Sequence, residues 1–241
     1  MPLTVGRSGG FGQDGRSKAY TTATGFKQSV AAGPSFSFTS NSFAASIAAL
    51  GYPSKMIALV YGDNAAARNA TNVTITPTSG SVRTMTEVAT TGSSTPFLGW
   101  YICDYVDPAD TCEIGVTFDG TMSRVGVNFY PAWNVLSDAA LGTFVGTSGD
   151  PTQSTIATAL NSFTLMAAVN RSAAISGTGF LWTNTPLTIG YNSDTINTYV
   201  LFARVSYDED YFTALNGPTS VVGFDWNVAP TNPRVVAATM R

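Results

Sequence analysis

The sequence predicts an all-β protein, an antiparallel two-sheet β-sandwich that is jelly-roll-like and carries an extended N-terminal arm. Three observations lead there. Apolar residues recur with a period of two along much of the chain, turn-forming residues punctuate those stretches at short intervals, and helical spacing is weak. With 241 residues, 44% of them hydrophobic, the chain is long enough to bury a sizeable core as one domain.

Residues 1–33 form the predicted arm. Gly6, Gly9, Gly10, Gly12, Gly15, Gly25 and Gly33 interleave there with Ser, Thr and the basic residues Arg7, Arg16, Lys18 and Lys27. So few apolar side chains build no core, and order in such a segment has to come from the body of the protein or from a neighbouring subunit. Residues 34–241 are expected to form the sandwich. The turn-rich stretch from Gly142 to Pro151 is a place where two halves would part. Neither linker composition nor an internal repeat marks it, so one domain is expected.

Within the body, Phe36 and Phe38 alternate with Ser35, Ser37 and Thr39, and Val73 and Ile75 with Asn72, Thr74 and Thr76. Ile114, Val116 and Phe118 then share a face, followed by Val125, Val127 and Phe129, by Phe163, Leu165, Ala167 and Val169, and by Tyr199, Leu201, Ala203, Val205 and Tyr207. Ser79-Gly80, Asp119-Gly120, Ser148-Gly149-Asp150-Pro151 and Asn216-Gly217-Pro218 are turn signals between them. Ser42 to Leu50 and Tyr207 to Leu215 have room for a helical turn or two. Abundant Thr, Ser, Gly and Ala on short strands argue for a sandwich.

Composition excludes whole classes of chemistry. There is no histidine, so serine or cysteine triads of the usual kind, histidine-ligated zinc and histidine acid–base catalysis are closed to this chain. Charged residues make up only 11%, the net charge is −3 and Lys18, Lys27 and Lys55 are the only lysines, so no basic stripe tracks a nucleic-acid backbone. No nucleic-acid partner is expected. No apolar run of about 18 residues occurs, and neither membrane insertion nor a cleaved export signal is expected. Gly6-Arg7-Ser8-Gly9-Gly10 matches a nucleophile elbow in letters, but without a strand before it, a helix after it or a histidine elsewhere the match is chance.

Four groups of residues remain as candidates. Cys103 and Cys112 flank the polar segment Asp104 to Thr111, which reads as a hairpin loop. They are either joined by a disulfide across it or left as two reduced, half-buried thiols. Asp104, Asp107 and Asp110 recur at every third position and could offer carboxylates to a hard cation. They lack the glycine and terminal glutamate of a helix–loop–helix calcium loop, so a solvated acidic loop is preferred, as it is for Asp208, Glu209 and Asp210. Glu87, Glu113 and Glu209 are the only glutamates for a glycan-cleaving pair, and nothing around them marks an acid in an apolar pocket. Trp100, Tyr101, Trp133, Trp182 and Trp226 could stack on sugars, although most sandwich aromatics fill the core. Trp133, in Pro131-Ala132-Trp133-Asn134, is the candidate ligand-facing aromatic.

Several stretches together resemble a class of tailed-bacteriophage virion proteins built from β-sandwich domains. They are Met56-Ile57-Ala58-Leu59-Val60-Tyr61, the Thr-rich pair around Asn72 to Val88, Phe97-Leu98-Gly99-Trp100-Tyr101-Ile102, Cys112-Glu113-Ile114-Gly115-Val116-Thr117-Phe118 and the closing Pro233-Arg234-Val235-Val236-Ala237-Ala238-Thr239-Met240-Arg241. The likeness covers most of residues 34–241 and lies in texture and strand order, with no invariant motif. It implies a non-enzymatic structural component of a virion, such as a head decoration, collar, fibre or tail-tip protein, assembled in the host cytoplasm. No cofactor, metal or catalytic residue is implied. The partners implied are further copies of the chain, as a trimer or pentamer, and other virion proteins, with the arm docked on an acidic neighbour. The alternative expectation is a carbohydrate- or receptor-binding sandwich module that meets a host surface glycan.

Overall fold

The computed structural model describes residues 18–19, 27–44, 47–48, 51, 53–105, 110–148, 152–157, 162–170, 177–182, 185–186, 193–196, 199–207, 219–226 and 232–241. The first half of the chain supplies β1 (Lys18–Ala19), β2 (Lys27–Ser29), β3 (Gly33–Thr39), β4 (Lys55–Asp63), β5 (Ala70–Pro77), β6 (Arg83–Thr84), β7 (Thr86–Thr90), β8 (Phe97–Asp104), β9 (Cys112–Met122) and β10 (Arg124–Trp133). The second half supplies β11 (Gly142–Gly146), β12 (Thr152–Ala157), β13 (Phe163–Asn170), β14 (Gly177–Trp182), β15 (Thr185–Pro186), β16 (Ser193–Ile196), β17 (Tyr199–Tyr207), β18 (Thr219–Trp226) and β19 (Arg234–Met240). The protein is all-β, and among the described residues every strand pairing is antiparallel.

The two-sheet expectation gives way to four sheets. Sheet I has the order β3-β9-β5-β6. Sheet II has β10-β4-β8-β7, with β1 and β2 both on the outer side of β10. Sheet III is β11-β19-β13-β17-β16, and sheet IV is β12-β18-β14-β15. Three apolar layers fix how they stack. Phe38, Ile75, Val116 and Phe118 of sheet I meet Met56, Val60, Phe97 and Val127 of sheet II. On the opposite face of sheet II, Leu59, Trp100 and Tyr130 meet Leu165, Ala167, Val236 and Met240 of sheet III. The far face of sheet III, through Met166, Ala168 and Val235, packs on Ile156, Val222, Phe224 and Trp226 of sheet IV.

This stacking explains two kinds of strand. Sheets II and III are covered on both faces, so β4, β8 and β10 and the described side chains of β13 are buried along almost their whole length and read as continuous apolar runs. Sheet I has one wet face, so β5 and β9 alternate buried and exposed positions.

The strand orders also reveal a repeat. The series β2-β10-β4-β8-β7 recurs as β11-β19-β13-β17-β16, and β3-β9-β5-β6 recurs as β12-β18-β14-β15. Each half is therefore one copy of the same sheet pair, joined back to back through sheets II and III. Within this scheme the N-terminal arm is the counterpart of β11. Between β3 and β4 the chain makes a helical turn, with Ile47 N–H donating to Phe43 O at 3.0 Å and Gly51 N–H to Ile47 O at 2.7 Å. The second stretch with room for a helical turn, from Tyr207 to Leu215, lies outside the described residues beyond Tyr207.

One glycine sets how close two strands come. A Cβ on Gly142 would stand 2.6 Å from Ala157 N and 3.0 Å from Ala157 O, so the start of β11 lies against the backbone at the end of β12. Backbone cannot swing aside as a flexible side chain can, so Gly142→Ala should cost about 1–3 kcal/mol in urea unfolding. A loss below about 0.5 kcal/mol would mean that the two strands have slack between them.

Candidate functional site

Sequence reasoning offered Trp133 as a surface for ligand stacking, and the structure places it inside. Trp133 is 4% exposed, and its indole Nε1–H donates to Gly51 O at 3.0 Å. Gly51, whose N–H closes the helical turn, thus satisfies the indole with its carbonyl. Trp100, Tyr101 and Trp226 are equally buried. Trp182 lies on β14.

The cysteines fall differently from a hairpin pair. Cys103 ends up in sheet II and Cys112 in sheet I, so the chain passes from one sheet to the other between them. Tyr105 ties the two described ends of that connection, its hydroxyl donating to Thr111 O at 3.2 Å. Both thiols are free and share the core between sheets I and II. Burial pushes Cys103 up to about 11, against the pull of nearby Arg83. Burial also pushes Cys112 up to about 12, against the pull of the Ser40 hydroxyl. Both are protonated at neutral pH. Native protein at pH 8 should therefore react with iodoacetamide at least about a hundredfold more slowly than the unfolded chain. Equal rates would show that the thiols are open to solvent.

Two of the three aspartates of the acidic triplet are described, and each has its own partner. The Asp104 carboxylate accepts from Lys55, and Asp110 accepts from the Ser42 hydroxyl at 2.7 Å, while Asp107 lies outside the described residues. Among the described residues no group of three or more potential metal ligands comes together. Asp208, Glu209 and Asp210 also lie outside the described residues. Glu87 sits on β7 and accepts from Thr90 Oγ1 at 3.1 Å, and Glu113 is exposed on β9 in a different sheet.

Two polar constructions were not foreseen. The first clasps the join between the halves. Lys55 Nζ lies 2.5 Å from Asp104 Oδ1 and 2.6 Å from Asp138 Oδ1, and its side chain is only 12% exposed. Asp138 belongs to the connection into β11, so this one ammonium ties that connection to β4 and β8. Beside it, Thr86, Glu87, Val88, Asp138, Ala140 and Thr143 line an open hollow of about 420 Å³ between β7 and β11. Burial lowers the Lys55 pKa, but the hydrogen bonds to Asp104 and Asp138 outweigh it, and the net displacement is upward from 10.5. A raised amine pKa means that the clasp contributes fully below pH 10.5 and is lost as pH climbs through the folded value. Lys55→Met should therefore lower stability by about 1 kcal/mol, a small figure because the partner carboxylates are partly solvated. The gap between the variant and the wild type should stay constant from about pH 6 to 9 and close only at higher pH. A gap that closes below about pH 9 would contradict the raised value.

The second construction seats the arm. Lys18 and Ala19 pair with Trp133 and Ala132, while Lys27, Gln28 and Ser29 pair with Val127, Gly126 and Val125. Lys27 Nζ also donates to Asn41 Oδ1 at 2.6 Å. Tyr105 N–H donates to Ser54 O at 2.9 Å, continuing the β4–β8 register in which Lys55 stands opposite Asp104. On β10, Phe129 N–H is taken up by Asn128 Oδ1 at 3.1 Å, and Pro131 has no N–H to satisfy.

No protein-family model matches the chain, and no curated protein matches it either.

Proposed function

We propose that the protein is a non-enzymatic structural component of a phage-like virion, acting through symmetric contacts between copies, as a trimer or pentamer, and with other virion proteins. On this reading it is assembled in the host cytoplasm and works in the particle. The observation that carries the reading is the arm: residues with no core of their own add two strands to the edge of β10, which is how an extended chain gains order by docking on a sheet. Support also comes from the buried aromatics and from the scattered carboxylates, which fit a load-bearing body better than a ligand pocket. A jelly-roll-like description of each half rests on β3, β4 and β5, and again β8, β9 and β10, which step alternately between facing sheets.

The test is the native mass of the protein with and without residues 1–33, read by light scattering. An oligomer that dissociates when the arm is removed is the expected result. A strict monomer in both cases overturns the proposal and would send the next experiment to a glycan screen.

A further inference from the structure

Sheet edges are where strands from other chains can add, and most edges here are guarded. The outer edges of the four sheets are the arm strands and β7, β3 and β6, β11 and β16, and β12 and β15. The arm strands are two and three residues long and carry Lys18 and Lys27, and β7 carries Glu87 and a register shift between Glu87 and Ala89. β3 starts Gly33-Pro34 and has a shift between Gly33 and Ser35, and β6 has two residues, one of them Arg83. β16 carries Asp194, and β15 is two residues long and includes Pro186. Charge, proline, bulges and shortness are the devices by which a protein blocks strand addition.

β11 and β12 have none of them. Gly142-Thr143-Phe144-Val145-Gly146 and Thr152-Gln153-Ser154-Thr155-Ile156-Ala157 contain no charge and no proline, and each pairs with its neighbour without a register shift. These two strands lie on the same side of the second half, pressed together where Gly142 meets Ala157. The side is also greasy at one end: among the described residues five large apolar side chains are exposed, and Leu136 (77%), Leu141 (41%) and Val145 (41%) are on or just before β11.

We propose that the β11–β12 side is a two-fold contact between two copies of this chain, in which the edges add to each other and run the sheets on across the axis. Charge points to a second copy as the occupant. A two-fold contact sets a surface against itself, so any charge near the axis meets its own like across it, and neither of these two edge strands carries a charge to oppose. The exposed polar side chains Gln153, Ser154 and Thr155 can hydrogen-bond to their own kind, which suits antiparallel self-pairing. This inference rests on the assembly reading above and adds to it a second, independent contact.

Val145→Lys and Thr155→Lys, made separately, place like charges on the proposed axis without touching a core. The native mass of each should be half that of the wild type, with far-ultraviolet circular dichroism unchanged. Amide exchange of β11 and β12 in the wild type should also quicken on dilution, as the contact opens. If both lysine variants keep the wild-type mass and exchange does not depend on concentration, the two-fold contact is wrong. The assembly reading would still stand if removal of residues 1–33 dissociates the protein. A wild-type protein that is monomeric throughout overturns both. If a lysine variant fails to fold, the dilution experiment on the wild type decides alone.

Discussion

Trp100→Ala should destabilise the protein by about 3–5 kcal/mol. Trp100 is fully buried on β8 and stands between sheets II and III, with its ring 5.4 Å from that of Tyr130. Its Nε1–H donates to Val236 O at 3.3 Å, a hydrogen bond that runs from one half of the chain to the other. Truncation removes the packing, leaves a cavity and removes a buried hydrogen bond together. Chemical denaturation reads the loss directly, and Trp100→Phe should recover part of it because the ring volume returns without the N–H. A loss below about 1 kcal/mol for the alanine variant would mean that sheets II and III do not share a core.

Phe118→Ala should cost about as much, roughly 3–5 kcal/mol, but in the other core. Phe118 on β9 is 3% exposed and meets Phe97 edge-on at 5.4 Å and Phe36 edge-on at 6.4 Å. It touches only the layer between sheets I and II. Because sheet II also covers sheet III, loosening the first half strips the second of its packing partner. A single transition, shifted as a whole, is the expected result for Phe118→Ala. A split into two transitions, the second at the wild-type midpoint, would show that the halves unfold separately.

What was legible in the sequence follows from where water is. β3, β5 and β9 have one dry face, so Phe36 and Phe38, Val73 and Ile75, and Ile114, Val116 and Phe118 announced themselves by alternation. On β10 and β13, reading Val125, Val127 and Phe129 or Leu165, Ala167 and Val169 as one apolar face was sound, but the intervening Tyr130, Ala132, Met166 and Ala168 are just as buried. Those extra apolar residues were the mark of a sheet covered on both sides, and they separate four layers from two. The repeat stayed hidden because topology recurs while Val, Ile, Phe and Met exchange freely at inward positions.

The site residues were harder to place because their surroundings come from distant segments. Nothing near Trp133 foretold that Gly51 would accept its N–H. The short spacing of Cys103 and Cys112 suggested a hairpin, whereas the two residues stand in different sheets. Lys55, Asp104 and Asp138 are far apart in the sequence and share no local pattern, so only the fold brings them together.

The double covering of sheets II and III bears on what either half would be alone. Severed from its twin, the first half would turn Leu59, Trp100 and Tyr130 toward water, and the second Leu165, Ala167 and Val236. Such a fragment would seek another greasy sheet at once, its own duplicate included. The short tether from Asn134 to Leu141 prevents this by holding the correct partner at an effective concentration in the millimolar range or above. The covalent join therefore acts as a chaperone in cis: it makes the intended pairing intramolecular before a stranger can compete for the same face.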